Sequence, residues 1–112
     1  MATRKQGKGP GFGELAEKAA EATRLLKLLA NESRMLVLCK LAGQGEATVG
    51  ELSETAGLSQ SALSQHLALM RQDGLVEARR DGLQMHYRIA DPITEQLLGA
   101  LKTLYCSPQP SP

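Results

Sequence analysis

Residues 48–89 read TVGELSETAGLSQSALSQHLALMRQDGLVEARRDGLQMHYRI, and their reading decides the fold. Thr48 caps a short helix, Val49–Ala56, whose apolar side is Val49, Leu52 and Ala56; Gly57 ends it and Leu58 packs the turn. Ser59 caps the next helix. That helix buries Ala62, Leu63, Leu67 and Met70 and leaves Gln60, Ser61, Ser64, Gln65 and Ala68 on the opposite side. After Asp73-Gly74, residues 75–80 and 84–89 read as two strands, with Asp81-Gly82 as the hairpin signal between them. Met85, Tyr87 and Ile89 alternate with Gln84, His86 and Arg88, so one face is buried and the other wet. A short helix, a glycine turn, a second helix with a small polar start and a following hairpin predict a mostly α fold with a β-hairpin wing, the winged helix-turn-helix.

The residue types on the second helix suit base reading. Gln60 and Gln65 carry amides that pair bidentately with adenine, while Ser61 and Ser64 are short enough to let the backbone approach. Ser59 stands at the helix N-terminus, which favours phosphate. Arg79, Arg80, Gln84 and Arg88 on the hairpin would hold flanking phosphates or a minor groove. A solvated helix face with ordinary surface arginines is the competing account, and the hairpin directly behind the helix argues against it. His66, next to Leu67, is expected to be a hydrogen-bonded structural residue rather than a base reader.

Working outward, residues 14–30 place Leu15, Ala19, Ala22, Leu25, Leu26 and Leu29 at helical spacings, an amphipathic helix with room for one break. Asn31 caps a further helix in which residues 35–42 are apolar nearly all round apart from Lys40, the pattern of a helix buried on several sides, with Cys39 inside it. Gly43-Gln44-Gly45 ends that helix. Asp91-Pro92 starts the last one, where Ile93, Leu97, Leu98, Leu101, Leu104 and Tyr105 form a wide apolar stripe. A single small domain cannot cover this stripe and the one at 15–29, so both are expected to pack against their copies in a homodimer through the first and last helices. Residues 1–12 and 107–112 are expected to be disordered tails around a domain at 13–106; the first carries Arg4, Lys5 and Lys8.

The chain has 112 residues, enough for one modest core, and with no Trp and one Phe that core must be built from leucine and alanine. No apolar run approaches a membrane span and the start has no secretory signal, so a cytoplasmic protein is expected. The net charge of +1 is low for a DNA binder, which places the phosphate attraction in the tail and in the later arginines. Without a Cys-x-x-Cys, a glycine-rich phosphate loop or an acidic pair placed by motif, an enzyme is not expected.

LLKLLANESRMLVLCKL at 25–41, followed by the stretch at 48–89, is similar to the arsenic- and metal-responsive ArsR-SmtB repressor family, with Ser59-Gln60-Ser61, Leu63-Ser64-Gln65-His66-Leu67 and Gly74-Leu75-Val76 as the most specific part. The resemblance implies that Gln60, Ser61, Ser64 and Gln65 face double-stranded operator DNA and that the first and last helices form the dimer. A metal site is not expected, since 49–53 holds no Cys and 92–105 no His. The two cysteines resemble instead those of the dithiol subfamily of BigR- and SqrR-like repressors. Carried over, Cys39 and Cys106 are the sensing pair, linked by a di- or polysulfide on exposure to reactive sulfur species or oxidant, with release of the operator and no cofactor. The alternative is a metal-responsive or ligand-independent repressor with structural cysteines.

Overall fold

The computed structural model describes residues 11–106. In chain order the elements are α1 (Phe12–Glu17), α2 (Ala19–Leu29), α3 (Glu32–Gln44), β1 (Ala47–Thr48), α4 (Val49–Ala56), α5 (Gln60–Gln72), β2 (Val76–Asp81), β3 (Gln84–Ile89) and α6 (Pro92–Tyr105). The three strands form one antiparallel sheet in the order β1-β3-β2. This is the helical, winged architecture the sequence predicts. The helix expected over 14–30 is broken once, at Lys18, which joins α1 to α2 without a side-chain cap. Helix α1 starts at Phe12, within the segment expected to be a tail; residues 1–10 and 107–112 lie outside the described residues.

The caps position the helices. Asn31 Oδ1 accepts from the Arg34 amide at 3.0 Å, and Ser59 Oγ accepts from the Ala62 amide at 3.2 Å. At α4 the cap is reciprocal: Thr48 Oγ1 accepts from the Glu51 amide at 3.2 Å while Glu51 Oε1 accepts from the Thr48 amide at 2.8 Å. Asp91 accepts from the amides of Ile93 and Thr94 ahead of α6. Thr94 is fully buried, and its hydroxyl donates to Asp91 Oδ2 at 2.7 Å, so no polar atom is orphaned there.

Two details of the sheet differ from expectation. The hairpin loop is Gly82-Leu83, one residue later than Asp81-Gly82, because Asp81 extends β2 to pair with Gln84. A two-residue hairpin turn needs a left-handed backbone at its first position, and Gly82 supplies it with φ 66° while Leu83 stays at negative φ. Strand β1 was not anticipated at all. Two residues are too few for a period, and Ala47 is held by pairing with Tyr87 of β3.

The core gathers Leu29, Val37, Leu38, Leu41, Leu52, Leu63, Leu67, Met70, Leu75, Val76 and Leu98, an aliphatic interior drawn from α2 to α6 and the base of the wing. Ala62 is half-buried rather than buried. Helix α3 departs further from expectation. Its Val37, Leu38 and Leu41 side is covered, but Leu36, Cys39 and Gly43, spaced three and four residues apart, are exposed on the other side. Phe12, Leu15 and Leu26 on α1 and α2, and Ile93, Leu104 and Tyr105 on α6, are exposed too. The radius of gyration is 17.1 Å, against about 13 Å for a compact domain of this length, so the chain is long and flat.

Candidate nucleic-acid interface

Helix α4, the Gly57 turn and α5 form the helix-turn-helix. The turn is tied by the Gly57 left-handed backbone (φ 67°) and by the Ser53 hydroxyl, which donates to the Leu58 carbonyl. Leu63, Leu67 and Met70 seat α5 in the core, so the 3.6-residue period turns Ser61, Ser64, Gln65 and Ala68 outward, while Ser59 and Gln60 are exposed by their place at the N-terminal end of the helix. The face they make is polar and uncharged, and its first turn holds no acidic residue. Donor and acceptor amides next to small hydroxyls, on a convex helix with a free N-terminal end, are suited to the edges of bases and to a phosphate beside them.

The wing carries its charges differently from the sequence expectation. Arg79 is committed to Glu46, with Nη2 to Oε1 at 2.8 Å and Nε to Oε2 at 3.2 Å. That fork holds the Glu46 carboxyl below its ordinary 4.5 and raises the Arg79 guanidinium further. His86 stands between Glu46 at 4.0 Å and Asp81 at 3.9 Å. Arg88 pairs with Glu77 directly across the β2–β3 ladder. Arg80 is exposed and makes no ion pair among the described residues, and Gln84 is exposed on the facing strand, opposite Asp81, next to the fully exposed Leu83 of the tip. Of the wing arginines singled out in the sequence, Arg80 is the one without an ion pair among the described residues.

His66 is half-buried midway along α5, and its Nδ1 lies 3.2 Å from Arg34 Nη1. Arg34 also donates from Nε to the Leu28 carbonyl at 2.6 Å and from Nη2 to the Lys27 carbonyl at 3.3 Å. Sequence reasoning gave Arg34 no role. Its signal was available: an arginine in the first turn of α3, after Glu32 and Ser33, one turn beyond a helix end with unfilled carbonyls.

Cys39 and Cys106 are both free and both exposed. Cys39 lies on the outer side of α3 by Lys40, Gly43 and Gln44, along a shallow groove, and Cys106 is the C-cap of α6, its amide donating to the Lys102 carbonyl at 2.9 Å. Helix α6 packs against α3. Among the described residues no group of three His, Cys, Asp or Glu side chains is placed to hold a metal, and no helix is long and apolar enough to cross a membrane.

Residues 31–78, from the cap of α3 into β2, match the family described as bacterial regulatory protein, arsR family. The transcriptional activator HlyU of Vibrio cholerae is 44% identical over 93 residues, 83% of this chain and 85% of HlyU. The chain belongs to the ArsR family. The solved structure of reduced HlyU superimposes with a TM-score of 0.78 over 86% of this chain and all of HlyU, at 43% identity. The transcriptional repressor BigR from Xylella fastidiosa superimposes equally well, with a TM-score of 0.78 at 38% identity over 86% of this chain and 97% of BigR. The homodimeric winged helix-turn-helix domain of Mb0332 from Mycobacterium bovis gives 0.67 at 32% identity, covering 89% of each chain. This ArsR-family chain is thus a transcriptional regulator with a winged helix-turn-helix, and the matched segment contains α4 and α5 entire.

Proposed function

We propose that this ArsR-family regulator is a homodimeric repressor that reads operator DNA with α5, holds it with the wing, and releases it when Cys39 and Cys106 become joined by a di- or polysulfide. The exposed, uncharged face of Gln60, Ser61, Ser64 and Gln65 carries the DNA reading. Arg80 and Gln84 at the wing tip are the accompanying phosphate or minor-groove contacts, with Ser59 at the helix end and Arg79 behind its Glu46 partner. Dimerisation is supported by the exposed apolar residues of α1, α2 and α6, by the flat shape of the single chain, and by the homodimeric state of the Mycobacterium bovis relative. The repressor role follows BigR, and the redox reading is in keeping with a solved form of HlyU described as reduced.

The switch rests on two free, exposed thiols on helices that pack together. Joining two thiols as a disulfide releases two protons and two electrons, which an oxidant or another disulfide accepts. A persulfide donor instead passes its outer sulfur to one cysteine and leaves as its own thiol. Closure of that cysteine persulfide on the other thiol gives two protons and two electrons to a second persulfide, which is reduced to thiol and sulfide. Such a bridge changes how α3 meets α6, and therefore how the two reading heads of a dimer are spaced. Half-sites on DNA lie about 34 Å apart, so a small shift costs contacts at both.

Footprinting on the regulator's own promoter, with reduced and persulfide-treated protein, tests both parts. A protected site on reduced protein that disappears on treatment, together with a sulfur-bridged Cys39–Cys106 peptide in the mass spectrum, is the expected result. Cys39→Ser and Cys106→Ser should each keep the footprint after treatment. A footprint absent from reduced protein sinks the DNA reading; one that survives treatment of the unsubstituted chain sinks the switch.

A further inference from the structure

We propose that Arg34 is a positioning residue that sets the angle of α5 against α2, and through it the half-site spacing the dimer accepts. This rests on α5 being the reading helix. Arg34 joins three elements from one planar group: Nε and Nη2 donate to the Leu28 and Lys27 carbonyls at the end of α2, and Nη1 donates to His66 Nδ1 on α5. The neighbouring carbonyls of α2 are already taken, Leu26 by the Ala30 amide and Leu29 by the Asn31 amide, so Arg34 fills the two left between them. A guanidinium has donors only, so the imidazole must present the lone pair of Nδ1 to it. The three acceptors are thereby held by one rigid fork, which a lysine cannot reproduce.

The backbone of α5 packs on α4 and β2. Among the described residues, the Arg34–His66 bond is the side-chain hydrogen bond that ties α5 back to the α2–α3 corner. His66 is half-buried, whereas Gln60, Ser61, Ser64 and Gln65 are exposed, so Arg34 acts through geometry and not through base contact. Helix α2 carries exposed Leu26, on the side where the proposed dimer forms. Each reading head then hangs from the dimer through α2, Arg34 and α5. Each inserted base pair moves a half-site by about 3.4 Å and turns it by roughly 34–36°. A head whose angle is fixed rejects that displacement; a loosened head tolerates it.

The test is binding of the full chain to the footprinted operator and to variants with one base pair inserted or removed between half-sites. The unsubstituted protein should prefer the natural spacing by about tenfold or more. Arg34→Lys and His66→Leu should flatten that preference to within about threefold, while His66→Asn, whose Oδ1 replaces Nδ1 as acceptor, should retain it. Gln65→Ala should weaken binding on every spacing alike. Folded Arg34→Lys and His66→Leu proteins with the natural spacing profile would overturn the proposal, as would a flattened profile for His66→Asn. If Arg34→Lys does not fold, the two His66 substitutions decide alone. No binding by the unsubstituted protein at any spacing instead overturns the reading of α5, and this inference with it.

Discussion

The side chains that matter most for affinity are separated by what they are already bonded to. Arg80 is free of ion pairs among the described residues, whereas Arg79 is held in a fork by Glu46. Removing Arg80 should therefore lower operator and random-DNA affinity alike and reduce the slope of log affinity against log salt by about 1, while Arg79→Ala leaves the slope nearly unchanged. Gel-shift titrations over a salt series measure both. Because the Glu46 carboxyl is held below its ordinary 4.5, its pair with Arg79 is intact above that value and is lost as pH falls through the lowered one, so the contrast between the two arginines holds throughout the neutral range. Gln65 was legible from the sequence because a helix period alone puts it opposite Leu63 and Leu67, whereas Gln60, on their side of the helix, owes its exposure to standing in the first turn. The commitment of Arg79 was not legible, since Glu46 lies 33 residues away along the chain.

At the level of the elements, the helix N-caps are legible in the sequence. Asn31, Thr48, Ser59 and Asp91 each accept the amide hydrogen bonds expected of them. Thr48 does more than end a loop, since Glu51 returns the bond and links the start of α4 to β1. Thr48→Ala should cost about 0.5–2 kcal/mol in urea unfolding, and Glu51→Ala should add little to it in the double variant, because both bonds belong to one box. Strand β1 is not legible because its two residues have no period, and the hairpin loop falls one residue later than Asp81-Gly82, a dipeptide that is a strong signal in either register. The observed register is the one that puts Gly82 at the left-handed position.

For the whole molecule the decisive fact is apolar surface without a partner. Leu15, Leu26, Leu104 and Tyr105 are more than half exposed on helices at the two ends of the chain, and Tyr105 reaches 82%. A charge placed there should cost the monomer little and a dimer much. Leu104→Glu is expected to sediment as a monomer at concentrations where the unsubstituted chain is a dimer, with its helix content kept and its operator affinity reduced by at least about tenfold, since the two half-sites are no longer held together. An unchanged sedimentation coefficient would place the dimer contact elsewhere.

The sequence by itself determined the helices, their caps, the wing and the polar face of α5, because each follows from the neighbours of a residue within one or two turns. It also carried the surplus of apolar stripes from which dimerisation is argued. Tertiary structure decided three things that depend on residues far apart in the chain. It turned Cys39 outward, because α3 buries only the side carrying Val37, Leu38 and Leu41 within the chain, although its composition is apolar nearly all round. It paired Arg79 with Glu46, leaving Arg80 as the wing arginine without an ion pair among the described residues. It also brought Arg34 between the end of α2 and His66, a meeting of three helices that no periodicity encodes, because hydrogen-bond geometry across helices is set only once the core has packed.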